Sequence, residues 1–509
     1  MQNENRPWCR FAGWLLAVLS FLASGCVLQE PTAGSDSAGV TLQAQSLLDP
    51  LTDEAFAVLP PEEQYRIVNN LLATLYKGET VESFFAHSPD WSQYSPRDPN
   101  ALQTLYDTLT GNTATPLQIA TLSETAFRFS AAQNPVERIQ AELYQMPLGR
   151  EYFVRWMAYT LANTKLFTPA IGLRTTRPED AERVYRRLVA MIGAGYGIRE
   201  IVYAHMVSQE NWRRFRSPED NVREMMELFL GWFRDEDVPV AAGLCGNWSI
   251  QWRKGTAWTL VIDERKAPEP GELFGRYLRD CYDFYDALAR HERLLPTLAG
   301  VLVDQFFPQA APEVRERLVH ELVASQPQRF EDLFLPLLFS RTYLRENRRY
   351  YWLEERFYNL VPRIRWQPDS NFFIRMNSPT SPYGLGQAGQ QGMHYKLGRP
   401  KLDPGMLEFM AWHRMLREYL LLDRKHSAAA NDFGWVEDLV ADFTDDRALT
   451  RYLFLAVLSR KPRQEELDRL LPLLADSRSP VRKALLLFDY FSRLTELYVM
   501  DGTDPEEAP

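Results

Sequence analysis

This sequence predicts a mainly α fold: an irregular multi-helical array of helix hairpins, with a small tryptophan-rich β-hairpin inserted near residues 247–263. Three observations predict it. Apolar residues recur at three- and four-residue spacing behind starts such as Pro61-Glu62-Glu63 and Pro178-Glu179-Asp180, which place proline in a first helical turn and acids at the positive end of the dipole. Period-two alternation is clear in one stretch only, where Trp248, Ile250 and Trp252 face Trp258, Leu260 and Ile262. The helix-pair pattern returns from Pro178, Pro312 and Arg463, but at unequal spacing, which argues against a regular solenoid.

Of the 509 residues, 45% are apolar and 13% aromatic, a globular composition with enough apolar surface for a large core. A net charge of −10 argues against nucleic acid as the main partner.

In chain order, Arg6 and Arg10 precede the apolar run Phe11 to Leu22, too short to span a bilayer but suited to a secretory signal. The run closes on Leu22-Ala23-Ser24-Gly25-Cys26, which resembles the lipobox of bacterial lipoproteins. That resemblance implies removal of residues 1–25, a diacylglycerol on the Cys26 thiol and an acyl chain on the new amine. Val27 in the next position implies sorting to the outer membrane of a Gram-negative envelope. Lipid chains contribute roughly 0.8 kcal/mol per buried CH₂, so the protein is expected to be anchored to a membrane without crossing it. Residues 26–46 read as a flexible tether, polar and rich in small side chains.

The body divides into an N-terminal helical region (47–175), a central helical domain with the hairpin (176–345), a C-terminal helical region (346–499) and an acidic tail (500–509). Tyr65, Val68, Leu71, Leu72 and Leu75 form the apolar stripe of a helix ending at Gly78. Further helices are expected over Ala101–Leu109, Pro116–Phe127, Val136–Tyr144 and Glu151–Leu166. Helix pairs follow over Pro178–Met191 with Ile198–Ser208, and over Pro312–Ala324 with Phe330–Ser340. A last pair starts at Arg463 and runs on through Val481 to Tyr498.

Asn221-Val222-Arg223-Glu224-Met225-Met226-Glu227-Leu228-Phe229-Leu230-Gly231, then Asp237-Val238 and Ala241-Ala242-Gly243-Leu244-Cys245-Gly246-Asn247-Trp248, carry a likeness continued by Ala287-Leu288-Ala289-Arg290-His291 and the run to Tyr343. Residues 178–345 thereby resemble the exported bacterial family called domain of unknown function 1800; Leu230 stands where that family has threonine. Leu458-Ser459-Arg460-Lys461-Pro462 and Glu465-Glu466-Leu467 are similar to the ending of domain of unknown function 1553. Both likenesses imply an exported, helical protein and no particular reaction.

Glu224 and Glu227 lie at i and i+3, on one helical face, where two carboxylates can share a proton or flank a substrate; Asp237 follows nearby. The competing reading has these acids at the core's edge, paired with Arg223 or Arg234. In the hairpin, a three-residue Arg253-Lys254-Gly255 loop sets both apolar rows on one face, and the tryptophans are expected to pack on helices rather than stand exposed. Cys245 and Cys281 are the two cysteines left after export; sequence leaves their pairing open.

Ser381 to Pro404 is Gly-rich, with His394, Tyr395 and Lys396 as a candidate ligand loop; its Gly384-x-Gly386-x-x-Gly389 has no βαβ context to make it a dinucleotide site. Seven histidines are scattered with no metal-ligand spacing, and His205 and His320 sit on apolar helices as expected core residues. No cofactor and no metal are predicted. The reading favours a binding or scaffolding role toward an envelope polymer or exported protein partner; the alternative is a hydrolase of polysaccharide or peptidoglycan using Glu224, Glu227 and Asp237.

Overall fold

The computed structural model describes residues 45–113, 116–117, 119, 135–253, 257–366, 434–443, 445–477 and 479–501. Cys26 and the segment expected to be a secretory signal, most of the helix expected over Pro116–Phe127, and the loop bearing His394, Tyr395 and Lys396 lie outside the described residues.

Helix α1 (Asp53–Ala57) is capped by the Thr52 hydroxyl, and α2 (Pro61–Thr74) buries Tyr65, Val68, Leu71 and Leu72 as its stripe requires. Its end departs from expectation. The helix stops at Thr74, Tyr76 takes a left-handed φ of 53°, and Gly78 serves a different purpose. A Cβ on Gly78 would sit 2.1 Å from the Asn359 carbonyl oxygen, so glycine is needed for close approach of two backbones.

Next come α3 (Val81–Phe84), β1 (Phe85–His87), β2 (Tyr94–Pro96), α4 (Ala101–Thr110), α5 (Pro135–Gln145) and α6 (Arg150–Ala162). The central part holds α7 (Pro178–Gly193), α8 (Ile198–Met206), α9 (Gln209–Arg214), α10 (Pro218–Leu230) and α11 (Asp237–Leu244). Two hairpins follow, β3 (Trp248–Arg253) with β4 (Ala257–Ile262) and β5 (Gly271–Leu273) with β6 (Arg276–Leu278). Then α12 (Cys281–Ala289), α13 (Leu294–Phe306), α14 (Pro312–Ala324) and α15 (Glu331–Phe339) lead through a π turn at Thr342–Glu346 to β7 (Arg348–Tyr350) and α16 (Leu353–Arg363). The last described elements are α17 (Gly434–Val440), α18 (Asp446–Leu458), α19 (Gln464–Ala475), α20 (Pro480–Phe491) and β8 (Val499–Asp501).

The fold is mainly α, with small two-stranded antiparallel sheets. Period two in the sequence points to β3–β4 alone; β1–β2, β5–β6 and β7–β8 have three-residue strands, too short for alternation to register. The last α-helix ends at Phe491, a 3₁₀ turn follows at Thr495–Leu497, and β8 returns to pair with β7. Helix partners also differ from the expected pairs. The main neighbour of α14 is α13, and both α19 and α20 pack on α18.

Several buried cations are held by helix ends. Arg356 donates to the Val457 carbonyl at 2.6 Å and Arg363 to Leu455 at 3.1 Å, at the negative end of α18. Lys77 donates to the carbonyls of Leu143, Tyr144 and Met146 at 2.9, 3.2 and 2.8 Å, closing α5. Arg349, 1% exposed, instead forms a two-pronged pair with Glu355 at 2.6 and 2.8 Å, and its Nη2 also donates to Thr74 and Tyr343, tying α2 to β7 and α16.

Two buried groups near α2 give stability a pH dependence. Burial pushes the Glu79 carboxyl up to about 7, against a Ser83 hydrogen bond, and burial pushes the Lys77 ammonium down to about 7. Between the ordinary carboxyl range and pH 7 the unfolded chain gives up a proton that folded Glu79 keeps, so its contribution falls as pH rises. Above pH 7 the unfolded chain keeps a proton that folded Lys77 releases, so stability recovers toward the ordinary lysine range. A stability minimum near neutral pH is expected. Glu79→Gln should remove the fall on the acid side, by at most about 3 kcal/mol, in denaturant titrations at pH 5, 7 and 9; an unchanged profile would remove Glu79 as its source.

Candidate functional site

Ser217 caps α10 by accepting from the Asp220 N–H at 3.2 Å, and Gly231 ends it at a φ of 67°. One side of the helix buries Val222, Met225, Met226 and Phe229, and buried Asn221 accepts from the Tyr285 hydroxyl at 2.6 Å. Rotation about the helix therefore leaves Glu224 half-buried and Glu227 exposed. Burial first, then the Glu227 carboxylate, lifts Glu224 above the ordinary glutamate value.

Asp237 behaves otherwise. It opens α11 as a buried residue and takes a two-pronged pair from Arg234, at 2.8 Å from Nε and 2.6 Å from Nη2. Arg234, in the preceding turn, thus bonds both carboxylate oxygens of the Asp237 that the sequence sets beside Glu224 and Glu227. Arg223 pairs with Asp220 at 3.3 Å.

His320 is exposed, contrary to the core position expected for it. His205 is buried against Phe167 and Phe229, burial holds it well below the ordinary histidine value, and its Nε2 has no hydrogen-bond partner. Among the described residues no cluster of three or more His, Cys, Asp or Glu side chains is placed to hold a metal ion.

The hairpins are built on a covalent base. Cys245, which closes α11, and Cys281, the first residue of α12, are fully buried and joined by a disulfide with Cα atoms 4.4 Å apart. The bond spans 36 residues and encloses β3 to β6.

Trp248 pairs with Ile262, Ile250 with Leu260 and Trp252 with Trp258, so the two apolar rows share a face. The connection falls one residue later than expected: Arg253 pairs with Ala257 inside the ladder, and residues 254–256 lie outside the described residues. The register differs from the expected one by an even step, which keeps every side chain on its predicted face.

Burial along that face is graded. Trp248, 3% exposed, packs at the base against Trp212, Tyr282 and Tyr285. Ile250, Leu260 and Trp258 are half-buried, while Trp252 is 61% exposed and meets Trp258 edge-on at 5.8 Å. Packing of the tryptophans thus holds at the base, where Trp212, Tyr282 and Tyr285 cover Trp248, and fails at Trp252, which meets Trp258 and stays exposed. Tyr282 and Ile262 add exposed apolar surface near the base.

Residues with no period or motif to mark them hold this element in place. Arg213 on α9 donates from Nε to the Trp258 carbonyl at 2.7 Å and forms a buried ion pair with Asp180 on α7. Gln209 accepts from the Leu260 N–H at 3.3 Å. Asp180 was readable only as the acid of a helix start, where its other oxygen accepts from the Arg177 N–H at 2.9 Å.

Comparison with protein-family models, with curated proteins and with solved structures returns no match for this chain.

Proposed function

We propose that this chain is a lipid-anchored envelope protein with a binding or scaffolding role, held to the outer membrane through Cys26, and that the β3–β4 hairpin is its recognition element. The observation that carries this reading is Trp252, a large aromatic side chain 61% exposed on a strand whose base is fixed by a disulfide. A rigidly presented aromatic pair supplies apolar contact area without an ordering penalty, the usual composition of a binding hot spot. A buried disulfide suits an oxidising compartment outside the cytoplasm. Kinship of residues 178–345 with the exported family named above belongs to the same proposal.

The hydrolase reading retains one favouring observation, the half-buried Glu224 with its raised carboxyl beside Glu227. It is the weaker of the two, because Asp237 is committed to Arg234.

Cys26→Ser is expected to release the protein from membranes on fractionation, and unchanged retention would refute the anchor. A photo-crosslinking residue placed at position 252 in the intact envelope should trap a partner, whereas one at Glu227 should not. Trp252→Ala is expected to weaken capture of that partner by about 2 kcal/mol while leaving the melting temperature nearly unchanged. Crosslinks confined to position 227 would favour the carboxylate face instead.

A further inference from the structure

The two edges of the β3–β4 hairpin are not alike. On β4, the Leu260 N–H and the Trp258 carbonyl point away from β3 and are taken by Gln209 and Arg213 of α9. Their direction fixes the ladder: the pairs Trp248/Ile262, Ile250/Leu260 and Trp252/Trp258 are the ones that do not exchange backbone hydrogen bonds. Two further bonds agree, since the Trp248 N–H turns outward to the Cys245 carbonyl and the Asp263 N–H bonds Asn247 one step along the ladder. On β3, therefore, the N–H and C=O groups of Ile250 and Trp252 point to the outer edge. Among the described residues neither residue's backbone meets a partner there.

An open edge is normally blunted by a bulge, a proline or a charge within the strand. The β3 ladder runs without a bulge from Trp248 to Arg253, contains no proline, and carries its charge only at the final residue. The unpaired groups stand beside the exposed Trp252 face, so edge and face together form one surface.

We infer that the outer edge of β3 binds an extended segment of a partner polypeptide by strand addition, making a third strand beside β3 and β4. This rests on the binding reading above and names its partner class. Outward groups repeat along β3 at about 6.6 Å, the two-residue spacing of a strand, which another polypeptide backbone matches and which neither a glycan nor a lipid headgroup does. Side chains of the added strand would alternate across the sheet, so apolar or aromatic residues at every second position meet Ile250 and Trp252 while the others join Ser249 and Gln251. A segment of about four or five residues without proline at the pairing positions fits this edge.

The test is hydrogen exchange on the full chain, with an octapeptide of alternating threonine and valine as the probe. Saturating peptide should slow exchange of the Ile250 and Trp252 amides about tenfold or more. Ile250→Pro removes an outward N–H but no β3–β4 ladder bond, so the hairpin persists while peptide affinity falls about tenfold or more. The wild-type exchange footprint tests the proposal independently should that variant fold poorly. Three results would overturn it: no slowing at either amide; equal peptide binding by Ile250→Pro; or protection of both amides in the dilute peptide-free chain. Protection that grows with protein concentration alone would make a second copy the occupant and refute the assigned partner class. Partner capture, measured by co-purification from the envelope, that is lost in Trp252→Ala yet kept in Ile250→Pro would leave the binding reading standing and reject strand addition; loss in neither would reject the binding reading itself.

Discussion

Replacing Cys245 and Cys281 together by serine is expected to lower the unfolding free energy by about 4 kcal/mol, from the chain entropy regained by a loop of this length. The bond closes 36 residues of sequence and holds two hairpins whose own buried core is small, Trp248 on one and Leu273 and Leu278 on the other. Short two-stranded ribbons are marginal alone, so the covalent closure and the aromatic cluster at Trp248 stabilise what strand pairing does not. Denaturant titration with and without reductant measures the effect, and proteolysis of the reduced protein should begin within residues 246–280. A loss well below 1 kcal/mol would mean that aromatic packing fixes the base and that the disulfide is dispensable. Partner capture at Trp252 should weaken as well, because a hairpin free to pivot pays an ordering penalty on binding.

Asp180→Ala is expected to be comparably severe, about 3–5 kcal/mol, since it leaves the Arg213 guanidinium buried without a counter-charge. Arg213 is 2% exposed and Asp180 fully buried, so water cannot substitute for the lost partner. The same change removes the acceptor for the Arg177 N–H at the start of α7. Asp180→Ala combined with Arg213→Met should be more stable than Asp180→Ala alone, because the second substitution removes the stranded charge along with its grip on the Trp258 carbonyl. A double variant less stable than the single one would show that the β4 contact outweighs the charge. Exchange of the β4 amides in both variants separates the two contributions.

Much of the helical framework was legible because its signals are local. Pro61-Glu62-Glu63, Pro178-Glu179-Asp180 and Pro312-Glu313 each open a helix where they stand, and the alternation of Trp248, Ile250 and Trp252 correctly marked a strand. Partnership was not legible. Nothing in the sequence of α14 says that α13 rather than α15 is its main neighbour, and three-residue strands such as β7 and β8 leave no periodic trace. Gly78 reads as a helix stop, yet its glycine is required by a backbone nearly three hundred residues away at Asn359.

The candidate site divides in the same way. Sequence by itself determined which residues sit on one face of α10 and which alternate along β3 and β4, because helix and strand periods fix relative direction within an element. Tertiary structure alone decided that Asp237 is consumed by Arg234, that Trp248 is buried while Trp252 is bare, and that Cys245 meets Cys281. Exposure, ionic pairing and an open strand edge depend on which distant segments arrive to cover a group. The periodicities of a single segment carry no record of that arrival.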